Sequence, residues 1–198
     1  MLLAMAHHVI YVPGLGDSRS YGQDIAINLW RLYGLKPHYF ALGWADKEPF
    51  EPKLVRLLDK AKALRKQGHK VSLVGVSAGA SAVLNAYSKD KEITGAVCIC
   101  GKINNPQTIG RRIYELNPAF EQSMAILKAS LENLSDTKRR RLLTIYAKQD
   151  SVVPPSDSKI SGAHEIQMPI SGHIPGIFYA VVFKGPAIAR FLRKQARV

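Results

Sequence analysis

A serine, an aspartate and a histidine occur in an order that nucleophilic chemistry uses. Ser77 is the centre of a Gly-x-Ser-x-Gly motif that runs from Gly75 to Gly79, and Asp150 and His173 follow it along the chain. In such a set the serine attacks a carbonyl carbon and the histidine takes the serine proton and returns it to the leaving group. The acid orients the imidazole and stabilises its charged form. The order Ser, Asp, His therefore predicts catalytic acyl transfer.

The serine motif lies between a predicted strand and a predicted helix. Four apolar residues precede the serine, namely Val71, Leu73, Val74 and Val76. A nucleophilic serine at such a turn has a strained backbone, and the flanking glycines leave room for the adjacent strand and helix. A helix that starts at Ala78 directs N–H groups and a partial positive charge toward the oxygen under attack. The alternative interpretation, a glycine-flanked turn without chemistry, stays open.

Two acids could orient the histidine. Asp150 comes directly after the predicted strand 141–147 and is therefore expected at the edge of a parallel sheet where the strands end. Asp157 is seven residues further on and is more typical of a loop or helix-cap residue. His173 follows the last predicted strand, 163–170, and an ordinary loop histidine is the alternative interpretation for it. The order along the chain favours Asp150 as the partner of His173.

Predicted strands and helices alternate along most of the chain. The strands are expected over 7–13, 36–42, 71–76, 93–100, 141–147 and 163–170. The helices are expected over 21–33, 51–67, 78–89, 118–134 and 177–194. This pattern predicts an α/β fold, a three-layer doubly wound sandwich around a mostly parallel six-stranded sheet. In the helix over 21–33 one face is apolar and carries Ile25, Leu29 and Leu32.

Residues 101–140 interrupt the alternation. The helix predicted within them, Pro118–Leu134, has an apolar stripe that includes Met124 and Leu127. If this segment is a short helical cap above the strand ends, its stripe roofs an acyl pocket, and Met124 and Leu127 contact the substrate. If the stripe simply packs onto the domain, they do not. We expect one α/β domain over 1–198, with the helical insertion at about 102–140.

A glycine-rich loop, Pro13-Gly-Leu-Gly-Asp17, follows the first strand. It does not match a dinucleotide-binding fingerprint, because Arg19 stands where glycine or alanine is required. In a serine hydrolase the loop at this place supplies the second backbone N–H of the oxyanion hole. We therefore expect the N–H groups of Leu15 and Ala78 to form that hole. His7 and His8, which open the strand, are expected at the surface.

Composition narrows the class of protein. The chain has 198 residues, of which 46% are hydrophobic and 22% charged, as in an ordinary globular domain. No apolar run approaches the roughly 18 residues that a membrane span requires. The apolar segment Met1–Ala6 is too short for the core of a signal peptide, so a cytoplasmic location is expected. Cys98 and Cys100 are expected to be buried thiols on one face of a strand.

The charge is strongly positive. The chain carries 28 Lys and Arg against 15 Asp and Glu, a formal net charge of +13. Such a field attracts nucleic acid, anionic membranes or acidic substrates, and it is equally compatible with a solvated surface. No aromatic-interleaved RNA-binding motif accompanies the basic segments, which argues against specific nucleic-acid binding.

Together these motifs give the chain a resemblance to a known superfamily. It resembles a small single-domain α/β-hydrolase of the serine esterase/lipase superfamily. The loop Gly14–Asp17 and the segment Asp150–Pro154 are similar to those of carboxylesterases and acyl-protein thioesterases. The chain departs from that pattern in having no room for two leading antiparallel strands. It also has Pro13 where many members have histidine before the first glycine of the loop.

The resemblance implies a reaction and a substrate class. The reaction is hydrolysis of a small-molecule carboxylic ester or thioester through an acyl-enzyme on Ser77, with no metal or organic cofactor. The alternative is a catalytically weak binding protein of the same fold whose basic surface docks an anionic partner.

Overall fold

The computed structural model describes residues 5–197. The strands are β1 (His7–Val12), β2 (Leu35–Tyr39), β3 (Lys70–Val76), β4 (Ala96–Ile99), β5 (Leu142–Gln149) and β6 (His164–Ser171). The α-helices are α1 (Gln23–Asn28), α2 (Phe50–Lys66), α3 (Gly79–Lys89), α4 (Arg111–Leu116), α5 (Pro118–Glu132), α6 (Asp136–Arg139), α7 (His173–Phe183) and α8 (Gly185–Gln195). Short 3₁₀ turns cover Leu29–Tyr33, Pro106–Thr108 and Pro155–Ser158. Most of the segment Met1–Ala6, considered above as a signal peptide, lies outside the described residues.

The strands form one parallel sheet in the order β2-β1-β3-β4-β5-β6. This confirms the doubly wound α/β sandwich, with every neighbouring pair parallel. The chain runs outward from β1 to β2 and then places β3 on the other side of β1, so the strand order reverses there. A reversal of this kind opens a crevice at the carboxyl ends of the strands. Val12 of β1 pairs with Gly75 of β3, which sets the loop after β1 beside the turn at Ser77.

Both faces of the sheet are covered by helices. In β1, Ile10 and Val12 pack toward α2, α3 and α5, whereas Val9 and Tyr11 pack toward α1, α7 and α8. All four side chains are fully buried. Burial on both faces is the reason the strands read as continuous apolar runs. Whether residues 1–198 form a single domain stays a prediction.

The helix expected over 21–33 is α1 followed by a 3₁₀ turn, and a different face of it is buried. Ile27 and Trp30 pack into the core. The Trp30 indole fixes this orientation, because its N–H donates to the Val181 carbonyl at 2.8 Å. The apolar face identified in the sequence is instead exposed to solvent: Ile25, Leu29 and Leu32.

The closing helix expected over 177–194 is two helices, α7 and α8, which meet at 64°. A Cβ atom on Gly185, the first residue of α8, would lie 2.9 Å from Cδ1 of Trp30. The break therefore falls where the backbone comes directly against the indole ring. In the described range no single helix is long and apolar enough to cross a membrane, although α7 and α8 reach that length and hydropathy together.

Cys98 and Cys100 are both buried, but they do not share a face. Cys98 lies in the core beside α3, and Cys100 lies in the core beside α7. Cys100 has a φ of +44° just past the end of β4, which breaks the alternation of side chains. The expected shared face was therefore wrong. Burial raises the pKa of each thiol to about 12, so both stay protonated at neutral pH.

His7 and His8, expected at the surface, are buried, with 8% and 7% of their surface exposed. His7 Nε2 lies 2.8 Å from Ser72 Oγ, and His8 Nδ1 lies 2.6 Å from His38 Nε2. The His8 ring also stacks on the rings of His38 and His69. Burial, reinforced by nearby positive charges, lowers the pKa of both His7 and His8 to about 4.

We expect these histidines to make folding sensitive to mild acid. Both are neutral in the folded chain, whereas an unfolded histidine takes up a proton near pH 6.5. Since the unfolded state then binds more protons, the free energy of unfolding should fall as the pH drops from about 6.5 toward 4. Urea unfolding at several pH values measures this loss. The variant His8→Phe keeps a ring but cannot be protonated, and it should lose less stability over the same range. An equal loss in both proteins would contradict the assignment.

Candidate active site

The turn at Ser77 is a strand–turn–helix junction, as the sequence predicts. β3 ends at Val76, α3 begins at Gly79, and Ser77 between them has a φ of +51°. A Cβ atom on Gly75 would lie 2.5 Å from the Gly79 carbonyl oxygen, and one on Gly79 would collide with the Val12 carbonyl. Glycine is therefore required at both positions, because the turn packs directly against the helix backbone and β1.

Ser77, His173 and Asp150 form one hydrogen-bonded chain. His173 Nε2 lies 3.0 Å from Ser77 Oγ, and His173 Nδ1 lies 2.7 Å from Asp150 Oδ2. The other carboxylate oxygen of Asp150 accepts the backbone N–H groups of Val152 and Val153 at 2.9 and 2.8 Å. The Asp150 side chain is only 1% exposed. Because an ionised carboxylate only accepts hydrogen bonds, Nδ1 carries the proton, and in the neutral imidazole Nε2 then faces the serine hydroxyl as an acceptor.

Of the two acids, the structure brings Asp150 to His173 and places Asp157 elsewhere. The Asp157 carboxylate is buried and forms an ion pair with Lys102, and Asn105 donates to it at 2.5 Å. Burial pushes the pKa of Asp157 upward, but the hydrogen bonds from Lys102 and Asn105 outweigh it and lower the pKa overall. Asp157 therefore joins the loop after β4 to the loop after β5.

The two predicted oxyanion donors flank the serine. A Cβ atom on Gly14 would lie 2.9 Å from Ser77 Cβ, so the loop that carries Leu15 lies against the nucleophile. Ala78 is the residue before α3 and has helical backbone angles. Among the protein atoms of residues 5–197, neither the Leu15 N–H nor the Ala78 N–H has a hydrogen-bond acceptor. Both groups are thus available to a ligand.

Asp17, to which the sequence reasoning gave no role, anchors this loop. Its carboxylate accepts the backbone N–H groups of Leu42, Gly43 and Trp44 at 2.6, 2.8 and 3.3 Å. The Trp44 indole N–H in turn donates to the Pro13 carbonyl at 3.3 Å. The loop after β1 is therefore tied to the loop after β2. An acid directly behind a Gly-x-Gly turn was the only sequence signal for this contact.

An apolar cavity of about 660 Å³ opens beside Ser77 and His173. Its wall comes from the loop after β1, from α1 and the turn before it, from the loop after β5 and from α7. The lining side chains include Leu15, Tyr21, Val152, Ile174, Ile177 and Phe178. Gln23 is a polar member of the wall, and its Oε1 accepts the Tyr11 hydroxyl at 2.7 Å. Among the described residues no group of three or more His, Cys, Asp or Glu side chains could hold a metal ion.

Met124 and Leu127 do not line this cavity. Both lie on α5, are 4% and 1% exposed, and belong to the core that α5 forms with α3 on the opposite face of the sheet. The expectation that they contact the substrate is corrected accordingly. The apolar face of α5 packs against α3 and α2. The wall of the cavity is built by α1 and α7 instead.

Several solved structures are similar to this architecture over most of their length. No protein-family model matches the sequence, and a search of curated proteins found no match. The esterase domain of a Rhodothermus marinus protein is 17% identical with a TM-score of 0.70, over 94% of this chain and 86% of that chain. Est1E from Butyrivibrio proteoclasticus is 12% identical with a TM-score of 0.74, over 99% and 90%. A monoacylglycerol lipase from Paleococcus ferrophilus is 16% identical with a TM-score of 0.65, over 95% and 94%.

These similarities, together with the all-parallel six-stranded sheet, show that the chain has an α/β-hydrolase fold. The six-stranded sheet of the described residues fits the minimal form of that fold.

The buried ion pair gives a stability prediction. Asp157→Asn leaves the Lys102 ammonium buried without a compensating charge, so the free energy of unfolding should fall by about 3 kcal/mol. Denaturant unfolding measures the change. Asp59→Asn, at an exposed position of α2, serves as the control and should change stability by no more than about 0.5 kcal/mol. Equal effects of the two substitutions would show that the pair does not hold the loops.

Proposed function

We propose that the chain is a serine hydrolase that cleaves a carboxylic ester or thioester through an acyl-enzyme on Ser77. The observation that carries the proposal is the hydrogen-bonded chain of Ser77, His173 and Asp150, with contacts of 3.0 and 2.7 Å. It lies at the mouth of an apolar cavity in an α/β-hydrolase fold, and several proteins of similar fold are named as esterases or lipases.

Acylation begins with proton transfer. Ser77 Oγ attacks the carbonyl carbon of the substrate while its proton passes to His173 Nε2. The imidazolium that forms is stabilised by the Asp150 carboxylate on Nδ1. Its proton then goes to the leaving alcohol or thiol, which departs as the bond between carbonyl carbon and leaving atom breaks. Water repeats the sequence on the acyl-enzyme, with His173 as base, and releases the carboxylic acid.

The negative oxygen of the tetrahedral intermediate needs hydrogen-bond donors. Within residues 5–197 the N–H groups of Leu15 and Ala78 have no protein acceptor, and the loop of Leu15 lies against Ser77, so we assign the oxyanion to them. Donors of this kind act in a site of low polarity without reorganising during the reaction. Asp17 holds the Leu15 loop in place and is therefore assigned a positioning role.

The cavity suggests the substrate class. Its wall is largely apolar, and a volume of about 660 Å³ suits a ligand of small-molecule size. We assign it to the acyl group, with the leaving group toward the solvent side. Among the wall residues named above, Gln23 carries the one side-chain amide, and this amide could contact a polar atom of the acyl group.

A second candidate is a catalytically weak binding protein of the same fold, favoured by the net charge of +13. A fluorophosphonate probe separates the two functions. Labelling of Ser77 that disappears on heat denaturation supports the enzyme, because only a folded triad activates the hydroxyl. A folded chain that several such probes leave unlabelled would support the binding protein.

Removal of the nucleophile gives the first activity prediction. Ser77→Ala should lower hydrolysis of short p-nitrophenyl esters by several orders of magnitude, because no acyl-enzyme can form. Ser88→Ala, further along α3, is the matched control and should keep the parent rate. Hydrolysis by Ser77→Ala at the parent rate would assign the chemistry to another residue.

The choice between Asp150 and Asp157 as the catalytic acid gives the second activity prediction. Asp150→Asn should cost about 10⁴-fold in turnover, because the amide stabilises the wrong imidazole tautomer. Asp157→Asn should retain turnover when assayed at a temperature at which it is folded, which circular dichroism checks. The reverse pattern in two folded variants would contradict the assignment of Asp150.

A further inference from the structure

A row of large apolar side chains is exposed to solvent on the turn before α1, on α1 itself and on the 3₁₀ turn after it. Tyr21, Ile25, Leu29 and Leu32 are 75%, 73%, 45% and 78% exposed. The spacing of Ile25, Leu29 and Leu32, four and three residues, puts these three along one side of the helical segment, and Tyr21 lies in the turn directly before α1. We call this row the apolar stripe. Contiguous apolar surface of this kind on a soluble fold marks a place of interaction.

The stripe continues into the mouth of the cavity. Tyr21 belongs both to the stripe and to the cavity wall. The rim beside it carries three further exposed apolar side chains, Val152, Ile174 and Phe178, at 65%, 72% and 61%. Because α1 packs beside α7, the stripe and the rim lie next to one another.

The other end of the stripe reaches a groove with basic walls. Leu32 lines this groove, of about 560 Å³, together with four cations of α8 and the segment after it: Arg190, Arg193, Lys194 and Arg197. The spacing i, i+3 and i+4 places Arg190, Arg193 and Lys194 on one side of α8, and Arg197 follows just past the end of the helix. Within residues 5–197 none of these cations is paired with a carboxylate. We call this set the basic stripe of α8.

We propose that this face of the protein docks on an anionic lipid bilayer. The apolar stripe and the rim enter the boundary between headgroups and acyl chains, and the basic stripe of α8 contacts the anionic headgroups. Apolar and cationic side chains that adjoin in this way match both properties of such a surface. Nucleic acid would use the cations but would leave the apolar stripe in water. A second copy of the chain would bring like charges together.

Docking in this orientation turns the cavity mouth toward the lipid. An acyl ester held in the bilayer then reaches Ser77 without crossing water. This consequence rests on the proposed function, whereas the docking itself does not. Ser77→Ala should bind vesicles as the parent does, so a failure of the catalytic proposal is distinguishable from a failure of docking.

Co-sedimentation with vesicles tests the proposal. The full chain should bind vesicles of phosphatidylcholine and phosphatidylserine, bind pure phosphatidylcholine vesicles much more weakly, and lose affinity as salt rises. Replacing Arg190, Lys194 and Arg197 by Gln should weaken binding about five-fold per cation, or roughly a hundred-fold in total. The control replaces three exposed cations on α2 by Gln, which changes the net charge equally: Lys60, Lys62 and Lys66. It should bind nearly as the parent does.

The apolar stripe is tested separately. The double substitution Ile25→Ser and Leu32→Ser should weaken vesicle binding by about ten-fold per side chain. Ile113→Ser with Leu116→Ser, at exposed positions of α4, should leave it unchanged. Thermal unfolding followed by circular dichroism checks that each variant is folded.

Three results would overturn docking on lipid. The first is that the folded parent protein does not bind anionic vesicles. Another is equal weakening by the α2 and α8 replacements, which would mean attraction by net charge alone. The third is binding of an RNA oligonucleotide, but not vesicles, through the α8 cations, which would make the groove a nucleic-acid site.

Discussion

The turn at Ser77 leaves no space for a side chain at either flanking glycine, Gly75 or Gly79. A φ of +51° costs an L-residue roughly 1–2 kcal/mol, so the surrounding structure must hold it. Ser77 N–H donates to the Ile99 carbonyl at 3.0 Å, and the Ser77 carbonyl accepts from Ala80 and Lys102 at 3.1 and 3.3 Å. Strain that neighbouring contacts over-determine in this way is typical of functional sites. The other parts of the site are arranged around a hydroxyl whose position is fixed.

The same close packing explains the helices on one face of the sheet. α3 is buried from Gly79 through Tyr87 because it lies between the sheet and the layer of α2 and α5. The apolar face of α5, which includes Met124 and Leu127, packs against α3 and α2. The cavity lies on the other side of the nucleophile, where α1 and α7 leave apolar side chains exposed.

Buried carboxylates fasten the loops at the carboxyl edge of the sheet. Asp17 ties the loop after β1 to the loop after β2, and Asp150 accepts two N–H groups of its own loop. Asp157 joins the loops after β4 and β5 through Lys102. Hydrogen bonds donated to charged acceptors in a desolvated setting are strong, so they hold these loops to one another. The polar side of the site is thus fixed, and its apolar side is open at the surface.

Local patterns in the sequence determined the order in which strands and helices follow one another along the chain. They also determined that Ser77, Asp150 and His173 meet at one edge, because residues just past parallel strands share that edge. Tertiary structure alone decided which face of α1 is buried, through the contact of Trp30 with Val181. It alone placed the pocket beside α7 and buried the stripe of α5 against α3. The physical reason is that periodicity tells which residues share a face of an element, whereas the neighbour that covers the face is set by packing across the whole chain.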